Sequence, residues 1–489
     1  MCVNCRMTYM PDIAWLRPDA TTIVVQQLLA ENARLRSALH GVQAELAAKD
    51  AEVRDLQARL KAQEAEAERL RAKAATPKKT PRNSSMPPSR GEKPQGDGKP
   101  PRRRRTGRKG SHRPLCANPT RVENVLAKTC PTCQADVSAV PPAPLETYDN
   151  VEIPPVEPIV TQVNLHGGTC PCCNNAFKAK PPEGLEPWTL FGPRLVAFVI
   201  LLRQYGFVSF RRMVVMLQCM FGVTVSEGGL SNLLRRQVAA FKAQQERIRQ
   251  DVLRGRQIES DETTMQVGKK RWQQWVFHHG LSCCFVAAMS RGKKVVEEFL
   301  AGVRPEVWVS DRLGSQMGWA KLHQVCLAHL LRTCQHVIDS GDVAFAWRVM
   351  ALLRRAIWHH KMRDTVMKRL GKGAPAAFRH RINAEMDELL RDQQSHPAAR
   401  KLRRSLVKAR ENLFVFLDHP AVPPTNNGSE RALRPGVIFR KVTNCFRSEW
   451  GAHLHCGVRS AIETGRRRGI GALESIMLTI QGKPLLVTE

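Results

Sequence analysis

Between residues 23 and 75 the apolar positions recur with a heptad spacing. One series holds Leu28, Leu35, Val42, Lys49, Leu56, Gln63 and Leu70, and the other holds Asn32, Leu39, Leu46, Val53, Leu60 and Ala67. Such a seam predicts a coiled coil, and a buried asparagine at Asn32 favours a parallel dimer with a fixed register. Because Lys49 and Gln63 interrupt the seam, a single solvated helix is the alternative interpretation.

The stretch from residue 190 to 248 has the apolar period of α-helices. Gly222 is placed to end one helix and Ser226 to cap the next. Two helices across a short turn, the second with Arg235 and Arg236, fit a helix-turn-helix whose arginines contact DNA. Many all-helical domains share this pattern, so a purely structural role for these helices stays open.

From Ile258 onward the pattern changes to the alternation typical of strands. Three successive strands are predicted in QIESDETTMQV, WQQWVFHH and SCCFVAAMS, followed by a helix and a buried strand in EVWVSDR. A helical pattern dominates from about Gly318 to Asp418, and a break rich in proline and asparagine precedes a last group of helices. The pattern therefore predicts a mixed sheet interrupted by a helical segment.

Residues 76–115 carry no apolar periodicity and are rich in proline, serine, glycine and basic residues. They hold thirteen lysines and arginines against two acidic residues, Glu92 and Asp97. A segment of this composition cannot bury a core and is expected to be disordered when free. Its four consecutive arginines, Arg102, Arg103, Arg104 and Arg105, are expected to contact phosphates without reading sequence, while a solvated linker is the alternative.

The charge of the whole chain indicates the class of partner. Across 489 residues, 76 Lys and Arg stand against 44 Asp and Glu, a formal net charge of +32. This excess favours a polyanion such as nucleic acid, although a ribosome-like basic protein has the same signature. The sequence has no apolar run of membrane-spanning length and no signal-peptide layout, so we predict no membrane partner and a cytoplasmic, nucleoid-associated location.

Two cysteine pairs follow the basic segment. They are Cys130-Pro-Thr-Cys133 and Cys170-Pro-Cys-Cys173. Because each C-x-x-C turn can direct two thiolates at one ion, the pairs predict a structural Zn²⁺ site, with a hairpin in residues 151–166 between them. Four unrelated buried cysteines are the alternative, and Cys116 and Cys172 leave the ligand set open.

Three carboxylates are candidates for metal binding. Asp261 and Asp311 are expected at strand ends, and Glu430 lies on the helix after the Pro/Asn-rich break. If brought together they would bind Mg²⁺ or Mn²⁺, while Arg431 and Arg434 beside them would hold phosphates. Solvated surface acids are the plain alternative, and other carboxylates compete for the role: Glu259, Glu262, Asp339, Asp418 and Glu449.

Several motifs resemble the DDE transposases of the insertion sequence 66 family. They are SDETTMQV, VSDR, HQVCLAHLLR, PPTNNGSERALRP and RKVTNCFRSEWGAHLHCGVRSAIETGRRRG, and the resemblance covers roughly residues 25 to 470. The string PPTNNGSERALRP is its most specific part. The sequence departs from the family at Leu313 and Gln316, where aromatic residues are usual, and at Gly428, where alanine is common.

The resemblance implies an RNase H-like catalytic domain with a helical insertion between the second aspartate and the glutamate. It implies that Asp261, Asp311 and Glu430 are catalytic and hold two Mg²⁺ or Mn²⁺ ions. Cys326 and His329 match a Cys-x-x-His of the family, which we interpret as a helical face packed near the site, since two ligands alone are a weak basis for a second zinc site. Asn426 and Asn427 match its polar pair, with helix capping as the simpler role and DNA contact as the other.

These observations together predict a multidomain α+β protein with a coiled coil, a zinc-binding domain, a helix-turn-helix-like region and an RNase H-like α/β catalytic domain. The boundaries are 1–22 for an N-terminal segment, 23–75 for the coiled coil, 76–115 for the basic linker, 116–180 for the zinc domain, 181–255 for the helical DNA-binding region, 256–470 for the catalytic domain with its insertion at about 318–418, and 471–489 for the C-terminal tail.

The function implied is a transposase that binds the terminal repeats of its element, cleaves the DNA ends and joins them to target DNA. Its partners would be double-stranded DNA, further copies of the chain as a homodimer or higher oligomer, and small accessory proteins of the same element. A catalytically decayed or accessory DNA-end-binding protein is the alternative, and dependence on Mg²⁺ discriminates the two. A nuclease acting on RNA hybrids needs the same carboxylates but gives no reason for a dimerising helix.

Overall fold

The computed structural model describes residues 20–74, 77–84, 86, 113–187, 190–341, 344–371 and 373–486. Most of the N-terminal segment and of the basic linker, including Arg102–Arg105, lies outside the described residues. The chain divides into two units, Met1–Lys78 and Lys79–Glu489. No helix among the described residues combines the length and apolarity needed to cross a membrane.

The first unit contains one long helix. Helix α1 runs from Ala20 to Ala74 without a break over 55 residues. The apolar side chains of the heptad seam are about half exposed or more on this single helix, from Leu28 at 64% to Leu60 at 57%. Two ion pairs of adjacent turns, Lys49 with Glu52 and Arg59 with Asp55, lie on the same exposed helix.

The second unit contains the remaining helices and all the described strands. The helices are α2 (Pro193–Gln204), α3 (Phe210–Phe221), α4 (Glu227–Arg236), α5 (Val238–Leu253), α6 (Lys293–Leu300), α7 (Leu327–Asp339), α8 (Ala344–Leu370), α9 (Ala374–Arg391), α10 (Pro397–Lys408), α11 (Val415–Asp418), α12 (Asn427–Thr443), α13 (Glu449–Arg467) and α14 (Ala472–Ile480). The strands are β1 (Gly167–Thr169), β2 (Ala176–Lys178), β3 (Gln257–Val267), β4 (Lys270–His279), β5 (Ser282–Ala288), β6 (Val307–Ser310) and β7 (Leu322–Val325).

Five of the strands form one mixed sheet in the order β5-β4-β3-β6-β7. The first three are antiparallel neighbours joined by tight turns, whereas β6 and β7 run parallel to β3. Helices α12 and α13 lie on the face of the sheet that carries Val276. Ala432 of α12 and Cys456 of α13 pack against that face. Trp275 and Phe277, one residue to either side, face the opposite layer with α5 and α6.

The helices before the sheet belong to the same core as the sheet. Phe241 of α5 and Ile200 of α2 are buried in one cluster with Trp308 of β6 and Val458 of α13. Helices α7 to α11, which lie between β7 and α12 in the chain, form a second cluster around Leu353. The predicted DNA-binding helices thus support the sheet directly, and the inserted helices form a second core together with Val307 and Val309 of β6 and Val325 of β7.

The segment between the cysteine pairs differs from its prediction. Residues 151–166 contain no strand, and the hairpin is instead formed by β1 and β2 on either side of the second pair. The prolines Pro154, Pro155 and Pro158 explain the difference, because proline has no backbone N–H to give to a strand ladder. The β-branched composition of the segment therefore did not produce a sheet.

A short strand also lies where the sequence predicted the start of the helical segment. Strand β7 takes only four residues, Leu322–Val325, before α7 begins at Leu327. Four residues are too few to reveal a period of two. The pairing of this strand with β6 is a tertiary contact, which the local pattern does not report. This strand completes the edge of the sheet at which the candidate site lies.

Candidate active site

Asp261, Asp311 and Cys326 occupy one row across three parallel strands. The ladder pairs Glu259 with Val309 and Val309 with Gln324. Two residues further along each strand come Asp261, Asp311 and Cys326, and the bond from Cys326 N–H to Ser310 C=O, at 2.8 Å, continues the ladder. Residues at one level of in-register parallel strands share a face, so this row brings the three side chains to the same edge.

Asp261 lies in the middle of β3 rather than at its end. It is paired with Val276 of β4, and β6 ends beside it at Ser310. Because β6 ends at this level, one side of β3 is open at Asp261. The side chain therefore lies at an edge where other side chains can meet it, as we expected for a strand end. Asp311 is the first residue after β6, and its carboxylate accepts a 2.9 Å hydrogen bond from the backbone N–H of Leu313.

The electrostatics of Asp261 are unfavourable for a carboxylate. Burial raises its pKa well above the usual range, and the negative charges of Glu262, Asp311 and Glu430 raise it further. A hydrogen bond from the N–H of Glu262, at 2.9 Å, opposes the shift. Asp261 forms no ion pair with any residue in the described part of the chain. Crowded carboxylates without a cation are a donor set suited to a divalent metal ion.

Glu430 reaches this edge because the turn before α12 is tied to the sheet. Asn426 is fully buried and donates from Nδ2 to the carbonyl of Ser260, at 2.7 Å, while its Oδ1 accepts from the Ser429 hydroxyl at 2.6 Å. Its backbone N–H points to Cys326 Sγ at 3.1 Å. Asn426 occupies the N-cap position of α12, but its side chain joins the helix to β3 rather than capping it. Asn427 is exposed as the first helical residue.

Two glycines let α12 approach the sheet. A Cβ on Gly436 would overlap the side-chain amide of Gln274 on β4, so a larger residue at this crossing would require that amide to move. A Cβ on Gly428 would lie 3.2 Å from the His278 ring and 3.3 Å from Glu259 Oε2. Burial keeps His278 neutral by lowering its pKa to about 3, and its ring is hydrogen-bonded to Ser429. The departure from alanine at Gly428 therefore has a steric reason.

Substituting Asn426 by alanine tests this connection. Asn426→Ala should lower the free energy of unfolding by about 2 kcal/mol, because the buried carbonyl of Ser260 and hydroxyl of Ser429 both lose a partner. Urea denaturation followed by tryptophan fluorescence measures the change. The exposed neighbour provides the control, since Asn427→Ala should change stability by no more than about 0.5 kcal/mol. Equal effects of the two substitutions would contradict the assigned role.

The side chain of Glu430 contacts residues of α7. Arg332 donates to its Oε1 at 3.1 Å, and His329 Nε2 lies 3.8 Å from the same oxygen. Cys326, the residue before α7, is buried beside them. Within the described residues, Cys326, His329 and Glu430 are the one set of three Cys, His, Asp or Glu whose ligand atoms all lie within 4.8 Å of one another.

Four of the five competing acidic residues are engaged elsewhere, while Glu259 lies on the Asp261 face of β3 with its carboxylate 3.7 Å from His278 Nε2. Asp339 accepts from Asn83 at 2.8 Å at the end of α7, and Asp418 is paired with Arg379. Glu449 begins α13. Glu262 is adjacent to Asp261 but lies on the other face of β3, where it is bound by Arg291 and by Gln316, whose amide donates to it at 2.5 Å.

Gln316, one of the departures noted in the sequence, fills a buried position. It has no exposed surface, and its side-chain amide joins Glu262 to the hydroxyl of Ser260. The departure noted in the sequence thus has a local function, since the amide satisfies two polar groups of β3 directly beside Asp261.

The arginines predicted to bind DNA lie at two places. Arg431 and Arg434 are exposed on α12, next to Glu430 and three residues apart. Arg235 and Arg236 are exposed at the C-terminal end of α4, after the turn formed by Gly222 and the Ser226 cap. They therefore lie away from the N-terminal part of this helix, which is the part that contacts bases in a helix-turn-helix.

The two cysteine pairs have matching local geometry but do not converge. In each, the first cysteine accepts from the N–H four residues later at 2.9 Å, and Gln134 and Asn174 both have a φ of 60°. Backbone N–H groups of each turn lower the pKa of Cys130 and of Cys170. Each turn alone suits a zinc knuckle, yet Cys130, Cys133, Cys170 and Cys173 do not gather as one ligand set in the described structure.

Sequence reasoning missed Arg332 and the network around Asn426. Arg332 lies three residues after His329, so helical spacing already placed both on one face of α7. The contact of that face with Glu430 depends on the path of the chain through α8 to α11, and no local signal reports it. Ser429 and His278 likewise meet only when α12 packs on β4.

Comparison with protein families identifies the larger part of the chain. A family model described as "Transposase IS66 family" matches residues 189–454, just over half of the chain, from the helices before the sheet into α13. No curated protein matches the chain. The matched range includes Asp261, Asp311 and Glu430, and it ends shortly before the centre of α13.

Proposed function

The chain belongs to the IS66 transposase family, and from this premise we propose that it binds the ends of its element, cleaves a phosphodiester there and joins the freed 3′-hydroxyl to target DNA. The observation that carries the proposal is the row of Asp261 and Asp311 on adjacent parallel strands, with Glu430 brought to the same edge by α12. The proposed catalytic set is therefore Asp261, Asp311 and Glu430.

The topology supports an RNase H-like assignment of the catalytic domain. Three antiparallel strands in chain order are followed by two strands that add in parallel to the first one, giving the order β5-β4-β3-β6-β7. The helices α7 to α11 then form an insertion between the strand edge and the helix of Glu430. In this arrangement Asp261 lies on the central strand β3 and Asp311 directly follows β6, whereas the glutamate comes from an element that packs on the sheet.

The chemistry proposed needs divalent cations, and the donor set suits them. Bound Mg²⁺ or Mn²⁺ would activate an attacking oxygen and stabilise a leaving one, with Asp261, Asp311 and Glu430 as protein ligands. Asp261 and Asp311 are fixed by the strand register and by backbone hydrogen bonds. Arg332 pairs with Glu430 at 3.1 Å and orients its carboxylate. The zinc role of the cysteine pairs stays a separate proposal about folding.

The exposed cations would position the DNA. Arg431 and Arg434 flank the proposed ligand Glu430 on the outer side of α12, so a phosphate chain that reaches the site would pass them. Guanidinium groups bind phosphates through charge-assisted and often bidentate hydrogen bonds. The basic linker and the arginines of α4 would add contacts along the duplex, which together predict a steep loss of affinity with salt.

Self-association through α1 would pair two DNA ends. The apolar seam residues of this helix are exposed in one chain, which leaves a stripe, interrupted at Lys49 and Gln63, for a second copy to cover. Asn32→Leu removes the polar residue of the seam and should tighten the association by about tenfold while weakening the preference for one register. Sedimentation equilibrium of the full chain measures the change.

The control for this prediction is a leucine on the outward side of the helix. Ser37→Leu adds the same side chain away from the proposed seam, so self-association should keep its wild-type strength. If both substitutions act equally, or if the wild-type chain is monomeric at micromolar concentration, the proposed coiled coil is wrong.

DNA cleavage by the purified full chain tests the proposed function. The substrate is a plasmid that carries the DNA flanking the gene, incubated with Mg²⁺, with Mn²⁺ or with EDTA. Metal-dependent nicks at a defined repeat are expected. Binding of the same DNA without cleavage, also after addition of the proteins encoded beside the gene, would favour the non-catalytic alternative.

A further inference from the structure

Three different metal-binding groups converge at the start of α7. The thiol of Cys326, one ring nitrogen of His329 and one carboxylate oxygen of Glu430 all lie within 4.8 Å of one another. Cys326 is held at the end of the strand ladder, His329 lies one turn into α7, and Glu430 comes from α12 across the chain. The set therefore depends on the tertiary fold, and its third member was not apparent from the Cys-x-x-His spacing.

Direct hydrogen bonds do not explain this cluster. The 3.8 Å from His329 Nε2 to Glu430 Oε1 is too long for a hydrogen bond. The other ring nitrogen, His329 Nδ1, is buried and has no hydrogen-bond partner in the described structure. A buried ring nitrogen without a partner is costly, so contacts within the protein do not satisfy the hydrogen-bonding capacity of this imidazole.

The chemistry of the three donors selects the kind of ion. Thiolate, imidazole and carboxylate together are typical ligands of Zn²⁺, whereas Mg²⁺ prefers oxygen atoms alone. In tetrahedral zinc sites the ligand atoms lie about 3 to 4 Å apart, so a contraction of about 1 Å would complete this set. Three protein ligands also leave the fourth position of a tetrahedral ion open.

We propose that Cys326, His329 and Glu430 form a site for Zn²⁺ that is distinct from the cysteine pairs Cys130/Cys133 and Cys170/Cys173. The part of this proposal that concerns regulation rests on the proposed function. Because Glu430 is shared, an ion in this site withdraws the glutamate from Asp261 and Asp311. Zinc would thus compete with the divalent cations of DNA cleavage and hold the enzyme in an inactive arrangement.

The surroundings of the site support this exchange. The N–H of Asn426 points at Cys326 Sγ, a contact of the kind that orients a metal-bound thiolate. Arg332 is the counterion of Glu430, so zinc binding has to displace this 3.1 Å contact. We expect Arg332→Gln to strengthen zinc binding by removing this competitor.

Zinc binding to the full chain tests the site without reference to activity. Metal-free protein is titrated with Zn²⁺ against a chromophoric chelator under reducing conditions, and bound zinc is counted after gel filtration. We expect Cys326→Ser and His329→Ala each to lose about one zinc equivalent per chain, or to weaken it at least about tenfold, relative to wild type. The serine hydroxyl can still accept the Asn426 N–H, which preserves the local fold.

Two controls separate this site from other thiols. Cys334→Ser changes another buried cysteine, which lies within α7 and outside the cluster, and should leave the zinc count and affinity at wild-type values. Substituting Cys130 and Cys133 should affect the binding of a different zinc equivalent. Cys326→Ser should still lower the zinc count in that background. Circular dichroism of every variant identifies any that fail to fold, and His329→Ala then provides an independent reading.

Equal zinc stoichiometry and affinity in wild type, Cys326→Ser and His329→Ala would overturn the site, whether or not the protein cleaves DNA. For the regulatory part, the Mg²⁺-supported cleavage of each protein is compared with its own rate in the presence of micromolar Zn²⁺. Inhibition of wild type that falls at least about tenfold in Cys326→Ser supports competition at Glu430. Equal inhibition of both proteins would overturn the regulatory part, and absence of cleavage under every condition would instead count against the proposed function.

Discussion

Asp261→Asn, Asp311→Asn and Glu430→Gln should each lower the rate of DNA cleavage by at least about 10³-fold, which corresponds to about 4 kcal/mol of transition-state stabilisation. Each change keeps the shape of the side chain and removes the charge that would hold a divalent cation. Binding of the element ends should survive, because the predicted phosphate contacts come from arginines outside this set. The measurement is single-turnover cleavage of a labelled end, alongside a binding titration at the same salt concentration.

The stability of these variants distinguishes catalysis from folding. Burial and three neighbouring carboxylates disfavour the charge of Asp261, so Asp261→Asn should leave the fold as stable as wild type or more stable. Asp418→Asn serves as the matched control, because that carboxylate is paired with Arg379 away from the site. Any of the three variants that cleaves at the wild-type rate would remove its residue from the catalytic set.

Acid should destabilise the second unit through a buried histidine. His455 has no exposed surface and is packed against the rings of Phe439 and Phe446, with Nδ1 at 2.8 Å from Gln204 Oε1. Burial, and then the positive charge of Arg459 and Arg203, lowers its pKa from 6.5 to about 3. Between these values the unfolded chain binds a proton at His455 and the folded chain does not, so stability falls as the pH falls below 6.5.

The magnitude follows from the two pKa values. Because of this single histidine, the free energy of unfolding should be about 3 kcal/mol lower at pH 4.5 than at pH 7.5. His455→Gln should reduce the slope of unfolding free energy against pH by up to about 1.4 kcal/mol per pH unit in this window. Urea titrations monitored by tryptophan fluorescence at several pH values measure it. An exposed histidine on α9, His380, is the control, and an unchanged slope in His455→Gln would refute the assignment.

Local patterns were sufficient for the elements that carry the site. The heptad pattern predicted a long helix that the structure extends from Ala20 to Ala74, and Gly222 and Ser226 bound the helices that they were predicted to bound. The three antiparallel strands were also predicted in order. Each of these features depends on interactions between residues close in sequence, such as caps, turns and the alternation of apolar side chains.

Local patterns failed where another physical effect decided. Prolines in residues 151–166 removed the donors that a strand needs, although the segment is rich in β-branched residues. Strand β7 has only four residues, too few for an alternation of apolar and polar side chains to identify it. The cysteine pairs illustrate a different limit, since each turn is specified locally but their mutual approach is not.

The sequence by itself determined the chemistry that is present: the charge, the thiol pairs, the heptads and the motifs that resemble the transposase family, whose membership the family match then established. The tertiary structure alone decided which side chains meet. Strand register aligned Asp261, Asp311 and Cys326, residues from three strands far apart in the chain. The packing of α12 on β4 and α7 then placed Glu430 between the aspartates and the Cys-x-x-His helix. Contacts of this kind arise from long-range burial and pairing, which no short window of sequence encodes.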